Sequence, residues 1–279
     1  MISSGFREHS APMTTGPESH FSRDTAVTKI GEGRYRASMS RDWWIARGPN
    51  GGYVAAVLLR ALQAEVGDPV RTPRSLTVHY VRAPEEGEVE ILVSVERVGR
   101  SINTLSARLV QRGEPMAVAL AAFGIVRRGP SFDDFERMDL APPDFVPDVS
   151  GPAMVPLHQR YRRRWAIGSP AMEGTPAPTG DVGGWIRLVD PEPVDYVLVA
   201  ALTDAWMPSV FSRLGRHVPV PTVDLTIHFR ESPPFTDDWS LVRFRCRKAL
   251  DGYLDEDGEV WSRDGRLLAQ SRQLAVTLE

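Results

Sequence analysis

One strand-like segment occurs twice in this chain, and the repetition limits the architecture more than any other feature. Residues 75–84 read SLTVHYVRAP and residues 224–233 read DLTIHFRESP, at an offset of 149. Leu76/Leu225, Thr77/Thr226, His79/His228 and Pro84/Pro233 are identical; Val78/Ile227 and Tyr80/Phe229 are similar. Upstream, the apolar run Tyr53–Val66 falls at the same offset on Leu202–Gly215, within a second apolar stretch from Asp195 to Phe211. Downstream, the turn Arg112-Gly113-Glu114 matches Asp264-Gly265-Arg266 after a shift of three residues. Helix, strand and turn recurring in one order imply two copies of one unit, and 279 residues suffice for two domains.

The first copy shows what the unit is. Strand candidates Asp24–Ile30 and Arg34–Met39 flank Gly31-Glu32-Gly33. Tyr53–Val66 is apolar except at Arg60, Gln63 and Glu65 and lacks alternation, which predicts a helix with Asn50 able to cap it. So apolar a helix must be covered on most sides. Four strand-like segments follow: Ser75–Arg82, Glu88–Arg97, Ile102–Gln111 and Met116–Arg127. In the second of these Val89, Ile91, Val93 and Val95 alternate with polar residues, the pattern of an antiparallel sheet with one buried face. The expected class is α+β: a long apolar helix wrapped by a curved antiparallel sheet, the hotdog arrangement, present twice as a double hotdog. Residues 1–20 read as a disordered tail, 21–130 as the N-terminal hotdog and 158–279 as the C-terminal one. Between them, residues 131–157 form an acidic linker rich in proline, expected to run along the surface between distant edges.

Several function classes are excluded. The 33 basic and 36 acidic side chains give a charge of −3, without the basic excess of a nucleic-acid binder. One cysteine, Cys246, and six scattered histidines offer neither a disulfide nor a cysteine-rich metal site, so no metal and no cofactor is expected. No G-x-S-x-G elbow, dinucleotide fingerprint or phosphate loop is present. The chain has no run of 18 apolar residues, so no membrane insertion is expected. The first twenty residues lack the basic start and apolar core of a secretory signal, which leaves a cytoplasmic protein as the expectation. His79 and His228 occupy matching strand positions, and their duplication suggests a histidine hydrogen-bonded within each sheet.

The run from Trp43 to Leu62, WWIARGPNGGYVAAVLLRAL, resembles the opening of the first hotdog in the acyl-CoA thioesterase II (TesB-like) group and its thioesterase-like relatives. The resemblance continues through SLTVHYVRAP and resumes at LTDAWMPSVF, PTVDLTIHFR and SRDGRLLAQSRQ. It implies hydrolysis of a fatty acyl-CoA or related acyl thioester to free acid and thiol. It also implies a water held by a helix aspartate, a threonine or serine at a strand start and a glutamine on the last strand. The matching residues are Asp204, Thr222 and Gln273. At the repeat-related positions the first half has Ala55, Pro73 and Ala121, so one polar set serves two units. Relatives of this kind manage their sheet edges by oligomerising, so a homodimer or higher homo-oligomer is expected.

Read from the residues alone, each position keeps an alternative. Asp204 interrupts an apolar run, and a carboxylate there is solvated at a helix edge, neutral in the core, or turned to a functional pocket. Pro208 withholds the N–H that would bond to the Asp204 carbonyl, so the helix should kink or end nearby. Thr222 after a proline is an ordinary strand start. Gln273 shares a strand face with Leu267, Ala269, Ser271 and Ala275 and must find polar partners, in a backbone group or in a site. Gly51, Gly52 and Trp206 are candidates for substrate contact, with Trp206 able to narrow an acyl tunnel. Arg160, Arg162 and Arg164 alternate along one strand as a solvated face or as donors to CoA phosphates, with Arg162 the chosen candidate. Arg243, Arg245 and Arg247 carry the same two readings. Against the hydrolase stands a catalytically silent double hotdog that binds an acyl thioester or acts as a scaffold.

Overall fold

A computed structural model describes residues 19–148, 155–169, 174–232 and 239–278. Pro152, Pro233 and residues 1–18 of the expected tail lie outside the described residues. The first half contains α1 (His20–Asp24), β1 (Thr28–Gly31), β2 (Arg34–Met39), α2 (Gly51–Val66), β3 (Thr72–Tyr80), β4 (Gly87–Val98), β5 (Ile102–Gln111) and β6 (Glu114–Gly124). The second contains β7 (Tyr161–Ile167), β8 (Gly180–Leu188), α3 (Tyr196–Leu202), α4 (Val210–Leu214), β9 (Thr222–Phe229), β10 (Ser240–Cys246), β11 (Ala249–Leu250), β12 (Tyr253–Ser262) and β13 (Leu267–Val276).

Local chemistry accounts for the helices. Asn50 Oδ1 accepts from the Tyr53 N–H at 3.1 Å and starts α2. Gly67 ends it in the left-handed conformation, φ 60°, where a side chain would be strained. Ten of its sixteen residues are buried, and each large apolar side chain among them contributes about 1.5–3 kcal/mol. Residues 20–24, between the expected tail and the first residue of the expected strand, coil into α1, and β1 begins only at Thr28. Ser19 caps the helix, accepting from the Ser22 N–H at 3.0 Å, and Phe21 inserts edge-on against Trp43 at 5.4 Å. Ser19 and His20, the last residues of the expected tail, thus belong to this capped helix. The second helix is not long: α3 ends at Leu202, and α4 starts only at Val210, beyond Pro208.

Twelve strands form one continuous sheet in the order β1-β2-β4-β5-β6-β3-β9-β13-β12-β10-β8-β7, with β11 attached to β12. All pairings are antiparallel. The order read from either edge is the same, and the two halves meet where β3 pairs with β9. Helices α2 and α3 lie against each other and share one apolar core with the inward faces of both halves.

Part of the linker covers the other side of the second half. Met138, Leu140 and Val146 pack on Trp185, Trp239, Leu241 and Trp261, and a cavity of about 230 Å³ is lined by Met138, Leu140, Trp185, Leu241 and Trp261. The Trp185 indole donates to the Ala141 carbonyl at 2.9 Å, and Arg164 donates to the Val146 carbonyl at 2.9 Å and to that of Pro143. His79 and His228 are exposed on the sheet rather than bonded within it. Sheet alternation turns both positions outward.

Candidate active site

The break between α3 and α4 sets the site. After Leu202 the chain turns, with the Asp204 N–H bonded to the Ala201 carbonyl at 3.3 Å, so Asp204 stands just beyond the helix rather than within it. Its Oδ2 accepts from the Gly52 N–H at 3.1 Å and from Asn50 Nδ2 at 2.9 Å. Asn50 Nδ2 also donates to the Asp204 carbonyl at 2.7 Å. The residue that caps α2 therefore braces the carboxylate from the other half of the chain.

Gly51 and Gly52 close this wall by lacking side chains. A Cβ on Gly52 would lie 2.4 Å from the Ala201 carbonyl oxygen; one on Gly51 would lie 2.9 Å from Asp204 Oδ2. The Tyr80 hydroxyl, 2.7 Å from the Gly51 carbonyl, donates to it. Phe229 holds the repeat-related position, so this hydroxyl belongs to the first half alone.

Thr222 and Gln273 meet directly. The Thr222 hydroxyl donates to Gln273 Oε1 at 2.9 Å, and Gln273 is 8% exposed on the inward face of β13. Gln273 Nε2 donates to Glu256 Oε2 at 2.9 Å and also helps to stabilise the Asp204 carboxylate. The structure therefore brings Asp204, Thr222 and Gln273 together. The register confirms the repeat here: Gln273 stands opposite Leu225 as Ala121 stands opposite Leu76.

Asp204 keeps some exposure, yet the protein around its carboxylate desolvates it. Burial pushes its pKa up to about 6, against donors at Gly52, Gln273, Gly51 and Asn50 that pull it down. Such a group is ionised at neutral pH and still basic enough to take a proton from water. Burial also pushes Glu256 up to about 7, opposed by the Ser209 donors.

The remaining candidates separate. Trp206 is buried beside Asp204 in sequence and packs on Trp165, ring centres 5.3 Å apart. Arg162 is half exposed on edge strand β7, 3.9 Å from Asp148 of the linker. Arg160 pairs with Asp42 at 3.4 Å. Arg243, Arg245 and Arg247 pair across strands with Asp181, Glu259 and Asp257, which makes theirs an ion-paired face. Asn50 as a brace, Tyr80 and Glu256 were not apparent in the sequence as site residues. Their signal was weak: the tyrosine-for-phenylalanine exchange in the repeat, and a glutamate at an inward position of a strand.

Strand order, central helices and a polar set lodged in one half define a protein of the hotdog class. Comparison with known proteins agrees. The family description "Acyl-CoA thioesterase N-terminal domain" matches residues 40–124 and "Acyl-CoA thioesterase C-terminal domain" matches residues 133–277. The chain belongs to this acyl-CoA thioesterase family. A hotdog-fold protein of unknown function from Alicyclobacillus acidocaldarius is 31% identical, with TM-score 0.86 over 94% of this chain and 99% of the other. The acyl-CoA thioesterase II TesB2 of Mycobacterium marinum shares the fold at 23% identity and TM-score 0.72, covering 92% of this chain and 98% of the other. The uncharacterized protein Rv0499 of Mycobacterium tuberculosis is 26% identical over 87% of this chain and 90% of its own length.

Proposed function

We propose that this protein is an acyl-CoA thioesterase of double-hotdog architecture, hydrolysing a fatty acyl-CoA or a related acyl thioester. The supporting observation is the convergence of Asp204, Thr222 and Gln273 from a chain turn and two strands on one desolvated spot. In this reading Asp204 is the general base. It takes a proton from water as the water oxygen bonds to the thioester carbonyl carbon; the C–S bond then breaks, and the thiolate leaves and is protonated. Gln273 and Thr222 orient the water, which matters because alignment supplies much of the rate. Gly51, Gly52 and Asn50 hold Asp204 in place, and Trp206 with Trp165 bounds the acyl site. Arg162, on the linker side of β7, is assigned to the CoA phosphates.

The chain is also proposed to act as a homodimer, because edge strands β1 and β7 end the sheet. Light scattering that gives 31.0 kDa at every accessible concentration would contradict this.

Release of free thiol from short, medium and long acyl-CoAs, followed with a thiol reagent, tests the activity. Hydrolysis of at least one chain length supports it. No hydrolysis of any at micromolar enzyme favours the silent acyl-thioester binder instead.

A further inference from the structure

Among the described residues the second half buries two glutamates: Glu259, paired with Arg245, and Glu256, which adjoins the hydrolytic set. Glu256, on β12, is 5% exposed. Its Oε1 accepts from the Ser209 N–H at 2.6 Å and from the Ser209 hydroxyl at 2.5 Å. Its Oε2 accepts from Gln273 Nε2 at 2.9 Å. These donors are neutral, and an ionised carboxylate enclosed this way is costly to keep.

The fold does not require it. Glu256 stands opposite Gln273 as Leu105 stands opposite Ala121, so the first half fills the same place with an apolar pair. The carboxylate belongs with the one-sided polar set rather than with the scaffold.

Its effect falls on the Gln273 amide, which has two ends. The oxygen accepts from Thr222, the nitrogen donates to Glu256, and the amide lowers the Asp204 pKa. Turned over, the amide would set its oxygen against Glu256 Oε2, acceptor against acceptor.

We propose that Glu256 is a positioning residue: anchored by Ser209 at the α3–α4 break, it fixes the Gln273 amide with its N–H groups toward the Asp204 site. Its consequence for turnover rests on the thioesterase reading above; the orientation of Gln273 does not. The titratable groups around Glu256 are few. Asp204 lies across Gln273, and the Cys246 thiol of β10 is pushed up to about 11 by burial and stays neutral. On the adjacent positions of β12, Asp255 and Asp257 pair with Arg272 and Arg247. Tyr80 and Tyr161 near Asp204 are held neutral by burial.

The chain has five glutamines, so 15N labelling of glutamine side chains gives a readable amide spectrum, with Gln273→Ala identifying the signal. The Gln273 amide should respond to pH in two steps, the upper near 7 from Glu256. Glu256→Gln should abolish that upper step, and Asp204→Asn should keep it but move it to lower pH, because the Asp204 charge helps to raise Glu256. An unchanged Gln273 profile in Glu256→Gln would overturn the proposal. Should that variant fail to fold, Ser209→Ala removes a donor that stabilises the carboxylate, and the upper step should move to higher pH; no movement would overturn it equally. In kinetics, Glu256→Gln should lower kcat/KM about tenfold alone and add nothing in a Gln273→Ala background. Fully additive losses would contradict action through Gln273. A wild-type protein that cleaves no thioester would refute the proposed function, while the amide spectrum would still decide the role of Glu256.

Discussion

Thr77 and Thr226, 149 residues apart and equivalent in the repeat, face each other across the centre of the sheet with hydroxyl oxygens 3.1 Å apart. The register around them is symmetric: Leu76 pairs with Ile227 and Val78 with Leu225. The two halves are thus joined about a point that the repeat itself marks. Because they share one sheet and one apolar core, both should unfold in a single transition. Coincident urea melts by circular dichroism and tryptophan fluorescence would show this; two separated transitions would contradict it. Thr77→Ala should cost about 0.5–1 kcal/mol without splitting the transition.

Asn50 ties the start of α2 to Asp204. Asn50→Ala removes a helix cap and two bonds to Asp204, and should cost roughly 1–3 kcal/mol in chemical denaturation. It also removes a donor that pulls the Asp204 pKa down, so the acid limb of kcat/KM should move to higher pH.

Gly52→Ala should damage both fold and site. The added Cβ would stand 2.4 Å from the Ala201 carbonyl oxygen and 3.1 Å from Asp204 Cβ, so α2 and the α3 end must separate. A loss of about 2 kcal/mol or more, with activity falling further than stability explains, is the expected outcome. Wild-type melting and turnover would show that the close approach is dispensable.

Stability should depend on pH through Asp204. Its pKa of about 6 lies above the ordinary 3.8, so the folded state holds this proton more tightly than the unfolded chain. The contribution is full below about pH 4 and is lost as pH rises through 6. Asp204→Asn removes this dependence. Relative to the wild type, the variant should gain about 1–3 kcal/mol between pH 4 and pH 8. A constant difference across that range would contradict the raised pKa.

Legibility followed the range of the interactions. Helix α2 with its Asn50 cap and the alternation in β4 are local, and the sequence displays them. The repeat also set apolar Pro73 and Ala121 of the first half against Thr222 and Gln273 of the second, while the pairing of β3 with β9 came only from the structure. Helix α1 falls where the sequence predicts the end of the tail and, at Asp24, the start of a strand, because Phe21 finds its partner, Trp43, outside the local pattern. The second helix was read as long because its apolar run continues past Leu202, although the residues after it turn to present Asp204. The second role of Asn50 and the place of Glu256 were hidden for the same reason. Asn50 meets Asp204 at a separation of 154 residues, and Glu256 meets Ser209 at 47. No periodicity reports such encounters.

The central claim is that the Asp204 carboxylate activates water against an acyl thioester. Its most direct test compares wild type and Asp204→Asn for thiol release from the best acyl-CoA found, with binding of that acyl-CoA measured in parallel. Asparagine keeps the shape and the acceptor for Gly52 and Asn50 while removing the base. The account predicts that binding persists, that kcat falls by about 10²–10⁴, and that wild-type kcat/KM rises with pH through about 6 as Asp204 ionises. Asp204→Asn with wild-type turnover, or a wild-type rate flat across that pH, would contradict it.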